Sequence, residues 1–137
     1  MAIDGQKLVN FLYLVREQAA GLVLYLIRFV FVRIYLILLL ILNSANWLLA
    51  YYINRNVSQE LVILHYNVNL GVNLIGPVRD VYTIPALGLA FIIINFLLLL
   101  NVYLKDKFAI HLLLGFSLLI NLFLFAGTMS VYLINFR

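Results

Sequence analysis

Few side chains in this sequence are equipped for chemistry. His65 and His111 are the only histidines, cysteine is absent, and serines and threonines are few. Two histidines hold a metal or relay a proton only where the fold adds a further ligand or an orienting partner. No nucleophile stands beside a recognisable base and orienting group. The sequence therefore points away from an enzyme, and no catalytic residue, cofactor or metal ligand is assigned. What remains is amide chemistry, because Asn43, Asn46, Asn95 and Asn121 lie inside otherwise apolar runs. An amide in hydrocarbon without a partner is costly, so these four are expected to make intramembrane polar contacts across a helix bundle. Two roles are open to them: glue between helices, worth about 0.6–2 kcal/mol each, or the lining of a polar site or conduction path at mid-membrane. The lack of any Asp, Glu, Lys or Arg inside those runs weighs against ion-coupled transport.

The elements that must position these amides follow from composition. With 66% hydrophobic residues, 10% charged residues and a mean hydropathy of +1.12, the chain lies outside the range of soluble domains. A mainly α integral membrane protein is expected, folded as one membrane domain over residues 1–137. The formal net charge of +4 comes from basic residues gathered around the apolar runs, so the lipid bilayer, its anionic lipids included, is the expected partner rather than nucleic acid.

Three uncharged runs are long enough to cross about 30 Å of hydrocarbon at about 1.5 Å per residue. The first spanning helix is placed at 34–54, with its start able to reach back toward Phe29. Trp47, Tyr51 and Tyr52 form an aromatic belt at its far end, and Arg55 marks the exit. The second is placed at 81–104, with Pro85 in its first turn and Tyr82 and Tyr103 bracketing it. A turn at 105–107 leads into the third, 108–136. Ala86, Gly88 and Ala90 in the second helix, and Gly115, Ala126, Gly127 and Ser130 in the third, are small enough for close packing.

Before these spans, residues 1–33 carry Lys7, Asn10, Glu17, Gly21 and Arg28 at roughly helical spacing, which predicts an amphipathic helix on the cytoplasmic surface. Arg16, Glu17 and Gln18 interrupt the apolar run, unlike a signal peptide. A fourth span over Leu8 to Ile27 is the alternative, and it places Arg16 and Glu17 near mid-membrane.

Between the first two spans, in the loop 55–80, the stretch Leu61 to Pro77 alternates strictly. Val62, Leu64, Tyr66, Val68, Leu70, Val72 and Leu74 fall on one face, and His65, Asn67, Asn69, Gly71 and Asn73 on the other. A β-hairpin over 61–76 is predicted, with a three-residue loop at 69–71 that pairs Val68 with Val72, Asn67 with Asn73 and Tyr66 with Leu74. Gly71 stands where a left-handed residue is wanted, and Gly76 and Pro77 end the second arm. The apolar face is expected to rest on the bilayer or the helix ends. His65, Asn67 and Asn73 then form the contact face toward water or a partner.

Basic residues set the orientation. Lys7, Arg16, Arg28, Arg33, Lys105 and Lys107 fall on one side, against Arg55, Arg79 and Arg137 on the other. The N-terminus is expected in the cytoplasm, with the hairpin and C-terminus outside. His65 and His111 then lie on opposite sides of the membrane. Asn56, Val57 and Ser58 match a glycosylation acceptor on the outer side.

The run ILHYNVNLGVNLIGP, followed by a hydrophobic helix containing proline and glycine, resembles a family of small uncharacterised bacterial multi-pass membrane proteins with an LHYNxxxGxxxIG-type segment between two spans. The likeness covers roughly Asn46 to Leu100. It implies a bacterial cell membrane and this topology, and it supplies no catalytic residue. In such relatives an acidic residue often stands where this chain has Asn73, so the resemblance does not imply a cation site here. The expected role is a non-enzymatic accessory or scaffold protein that contacts a membrane or extracytoplasmic partner through the external hairpin. The competing expectation is a small oligomeric transporter or channel lined by Asn43, Asn95 and Asn121.

Overall fold

A computed structural model describes residues 5–58, 60–67, 69, 71–102 and 107–136. Helix α1 (Gly5–Ile27) is followed by α2 (Val30–Asn56), a hairpin of β1 (Leu61–Asn67) and β2 (Gly71–Pro77), a short 3-10 turn (Val78–Tyr82), α3 (Thr83–Val102) and α4 (Lys107–Asn135). Three helical segments, Val30–Asn56, Val78–Leu100 and Lys107–Asn135, are long and apolar enough to cross a membrane. They form an up-down-up bundle in which α4 runs parallel to α2 and antiparallel to α3 and packs against both. α1 is not among those three.

Local chemistry explains the boundaries. α1 and α2 are separate because the chain breaks at Arg28 and Phe29, where both amides bond back to Tyr25 and Leu26 and Phe29 is extended. α2 therefore begins at Val30, ahead of the expected 34, since the Arg33 amide already bonds to the Phe29 carbonyl. Ahead of α3 the chain winds as a 3-10 turn before the α-helix starts at Thr83, whose hydroxyl donates to the Asp80 carbonyl at 2.6 Å. Pro85 follows in the first turn, where its missing amide costs no helical hydrogen bond. Tyr103, Lys105 and Arg137 lie outside the described residues.

α1 is held at its end. Leu26 is fully buried in a cluster with Val32, Leu39, Leu99, Ile110 and Leu114, while Val9, Tyr13, Arg16, Glu17, Gly21 and Leu24 are exposed. Of the expected polar stripe, Glu17, Gly21 and Arg28 are exposed; the side chains of Lys7 and Asn10 lie outside the described ones. A second apolar cluster, Ala50, Ile53, Val62, Val81 and Val131, closes the opposite end of the bundle beneath the hairpin. The polar layer lies between the two.

The hairpin is antiparallel, but its register differs from the expected one. Asn67 pairs with Gly71, Tyr66 with Val72, His65 with Leu74 and Ile63 with Ile75, with the ladder irregular around Leu64 and His65. The reversal closes one residue earlier than 69–71, so partners on β2 move by two positions. A two-residue shift keeps parity, so Tyr66 still meets an apolar residue, Val72 in place of Leu74. Gly71 adopts a left-handed φ of +74°, as the turn requires, although it is the first residue of β2 rather than part of the loop.

Candidate functional site

Two polar constellations stand out, one inside the bundle and one where the hairpin meets α4. In the first, the Asn43 amide nitrogen donates one proton to the Pro85 carbonyl at 3.0 Å and the other to Asn121 Oδ1 at 3.2 Å. The Asn121 nitrogen in turn donates to the carbonyls of Gly88 at 3.3 Å and Ser117 at 3.0 Å. Asn95 donates to Ser117 Oγ at 2.8 Å. All four side chains are buried. The layer therefore ties α2 to α3 and α4, and α3 to α4, with both protons of Asn43 and of Asn121 spent internally. A buried amide so satisfied avoids the desolvation penalty that an unpaired one carries.

Gly88 makes this geometry possible. A Cβ there would fall 2.5 Å from Asn121 Oδ1 and 2.7 Å from Asn43 Nδ2, closer than real atoms approach. The other small residues do not behave alike: at Gly115 and Gly127 a Cβ would meet nothing within 4 Å, and Ala86, Ala90, Ala126 and Ser130 are exposed. The Ser130 hydroxyl bonds back to the Ala126 carbonyl at 2.9 Å. Of the expected close-packing positions, only Gly88 is forced to be small by its neighbours.

Asn46 does not join the layer. It is 1% exposed, and neither its Nδ2 nor its Oδ1 has a hydrogen-bond partner.

The second constellation centres on Asn135 in the last turn of α4. Its Oδ1 accepts the Ile63 amide proton at 2.9 Å, and its Nδ2 donates to the Ile63 carbonyl at 2.9 Å and to the Val131 carbonyl at 2.8 Å. One side chain thus answers both main-chain groups of a strand residue, as a neighbouring strand would. Ile63 therefore turns its N–H and C=O away from β2. Its ladder partner Ile75 must do the same on the other side, because directly opposed residues in an antiparallel pair exchange both bonds or neither. Among the described residues no strand pairs with the outer side of β2.

Sequence reasoning passed over Asn135 because it sits at the end of a run rather than in its middle. An amide in the last turn of an apolar helix, near a strand-patterned segment, is the signal that would have found it.

The hairpin docks on the bundle through β1. Val62 is 1% exposed and Leu64 packs against the same cluster, whereas Leu61, Val72, Leu74 and Ile75 are exposed. The expected contact of the apolar face with the helix ends therefore holds for Val62 and Leu64 and fails for Val72 and Leu74, which belong to the outer strand. Gly76 is buried, and a Cβ there would press on Leu64 Cδ1 at 2.7 Å. His65 is exposed and borders a cleft of about 270 Å³ with Leu64, Gly127, Ser130 and Ile134. The side chains of Asn67 and Asn73 lie outside the described ones.

Aromatic rings gather at both ends. Trp47 stacks on Tyr82 at 5.9 Å, and Tyr52, Tyr132 and Phe136 form a second group beside the hairpin. At the opposite end Phe31 stacks on His111 at 4.4 Å, with Tyr35 edge-on to the same ring at 5.9 Å. His65 and His111 thus lie at opposite ends of the bundle. Among the described residues no three His, Cys, Asp or Glu side chains gather where they could hold a metal ion.

No family model, curated protein or solved structure matches this chain significantly.

Proposed function

We propose that this chain is a small, non-enzymatic integral membrane protein that serves as an accessory or scaffold subunit and takes an extended segment of a partner onto β2. The observation that carries the reading is the asymmetry of the hairpin edges. Asn135 closes β1 at Ile63, whereas β2 keeps an outward-facing main chain at Ile75 and exposes Val72, Leu74 and Ile75. Unpaired edges are normally guarded by charge, proline or a bulge. β2 carries no charged residue, its proline stands only at the last position, Pro77, and on this strand the irregularity of the ladder lies between Val72 and Leu74, leaving Ile75 in register with Ile63. Such an edge is suited to strand addition, in which main-chain bonds supply affinity and exposed side chains supply selectivity.

In this reading α2, α3 and α4 span the bilayer of a bacterial cell, α1 lies on the cytoplasmic surface and the hairpin is external. Along α2, Phe31 and Tyr51 stand about 30 Å apart at a helical rise, which matches the thickness of a hydrocarbon core between aromatic belts. The described charges favour the same orientation. Arg28, Arg33 and Lys107 stand at one end of the spans against Arg55 and Arg79 at the other, and the richer basic end is the cytoplasmic one.

Asn43, Asn95 and Asn121 support helix association in this reading, since Asn43 donates to Asn121 and a carbonyl, Asn121 to two carbonyls and Asn95 to the Ser117 hydroxyl. Pull-down from native membranes tests the role of the hairpin. The Leu74→Lys/Ile75→Lys variant should lose partners that the wild-type chain retains, and identical partner lists would overturn the proposal.

A further inference from the structure

Between α2 and α4 runs an open groove of about 440 Å³, lined by apolar residues throughout, among them Leu38, Ile41 and Ala45 from α2 and Gly115, Leu119 and Leu122 from α4. Gly115 leaves it open, because a Cβ there would meet no atom within 4 Å. On α4 the positions 107, 111, 115, 118 and 122 recur at helical spacing and share one face. The groove is therefore headed by His111, whose ring lies on Phe31, and one turn beyond by exposed Lys107. At about 1.5 Å per residue, Gly115 lies about 12 Å and Leu122 about 22 Å along α4 from Lys107. With its headgroup regions a bilayer is about 40–45 Å thick, so its midplane lies about 20–22 Å below the headgroup surface and this interval falls in the inner half of one leaflet, where the end of an acyl chain lies.

We propose that one anionic phospholipid binds here, its phosphate at Lys107 and His111 and an acyl chain along the groove. The inference rests on reading the three helices as membrane spans. An apolar groove at that depth holds hydrocarbon, and charge selects the headgroup: Arg28, Arg33 and Lys107 are exposed at this end, and α2, α3 and α4 contain no acidic residue among the described ones. One basic side chain against the headgroup favours an anionic over a neutral lipid by about fivefold, and at this groove that side chain is Lys107.

The test is native mass spectrometry of the full chain, extracted in mild detergent from vesicles of phosphatidylcholine and phosphatidylglycerol in equal amounts. Wild type should retain phosphatidylglycerol about fivefold over phosphatidylcholine. Gly115→Phe, which fills the groove, should reduce retained lipid of both kinds. Lys107→Gln/His111→Gln should keep a lipid but lose the preference. Circular dichroism confirms that each variant keeps its helices. Equal retention by the wild type, or a Gly115→Phe chain that holds phosphatidylglycerol as the wild type does, overturns the proposal. So does a dimer that Gly115→Phe converts to monomer, since a second copy would then fill the groove. A chain that fails to insert into the vesicles overturns the spanning assignment as well, whereas an inserted chain without lipid preference overturns this site alone.

Discussion

Asn46 and Asn121 are the same residue type, equally buried, and should respond to substitution with opposite signs. Asn121 accepts from Asn43 and donates to two carbonyls, so Asn121→Leu strands a buried Asn43 proton and should cost about 1–3 kcal/mol. Asn46 has no partner at either polar atom, so Asn46→Leu removes an unmet polar group and should leave stability unchanged or raise it by about 1 kcal/mol. Unfolding of the two variants in the same detergent micelle checks both signs at once. Gly88→Ala should destabilise by driving apart the Asn43 and Asn121 amides, while Gly115→Ala and Gly127→Ala, with open space around them inside α4, should match or exceed the wild type in stability, by up to about 1 kcal/mol each. That amides in apolar runs seek partners was legible in the sequence for Asn43, Asn95 and Asn121, because their desolvation cost does not depend on the fold, whereas Asn46 is buried without one. Which amide meets which was not legible. Pairing depends on the rotation of each helix about its axis, and α3 is apolar all round, so its own sequence does not fix that angle.

At the scale of elements, the hairpin separates what alternation determines from what it leaves free. Face assignment follows from parity alone; it holds for Val62 and Leu64 on β1 and is broken where the irregular ladder sets His65 opposite Leu74. The position of the reversal depends on loop conformation, and two three-residue loops one position apart satisfy the same parity. The clamp from α4 was out of reach of any local pattern, because Asn135 is remote in sequence from the strand it holds. Asn135→Ala should free both main-chain groups of Ile63. Amide hydrogen exchange would then quicken by about tenfold or more in β1, the effect of losing about 1.4 kcal/mol or more of local protection. Exchange in the middle of α2 and α4 should not change; a uniform rise across the bundle would mean that the clamp supports the whole fold and not the hairpin.

At the scale of the molecule, composition alone was enough to find three apolar helices, since stretches so free of charge have no other common use. Their packing order, with α4 central between α2 and α3, was not readable, because outward-facing and helix-facing residues are equally apolar. The native chain lacks cysteine, which makes the proposed orientation directly measurable. Single Asn69→Cys and Lys107→Cys chains in intact cells should react oppositely with a membrane-impermeant maleimide. Labelling is expected at position 69, at the hairpin tip, and at position 107 only after the cells are opened. The reverse pattern would invert the topology while leaving the fold as described.

The clamp also bears on the order of synthesis. Ile63 is bound by a residue made 72 positions later, and Asn43 by one 78 positions later. At a synthesis rate of about 5–20 residues per second, several seconds separate emergence of the hairpin from that of the side chain that closes its edge. During that interval both edges of the hairpin are exposed to neighbouring strands. Completion of the last helical turn is therefore the step that leaves the folded chain with one usable edge instead of two.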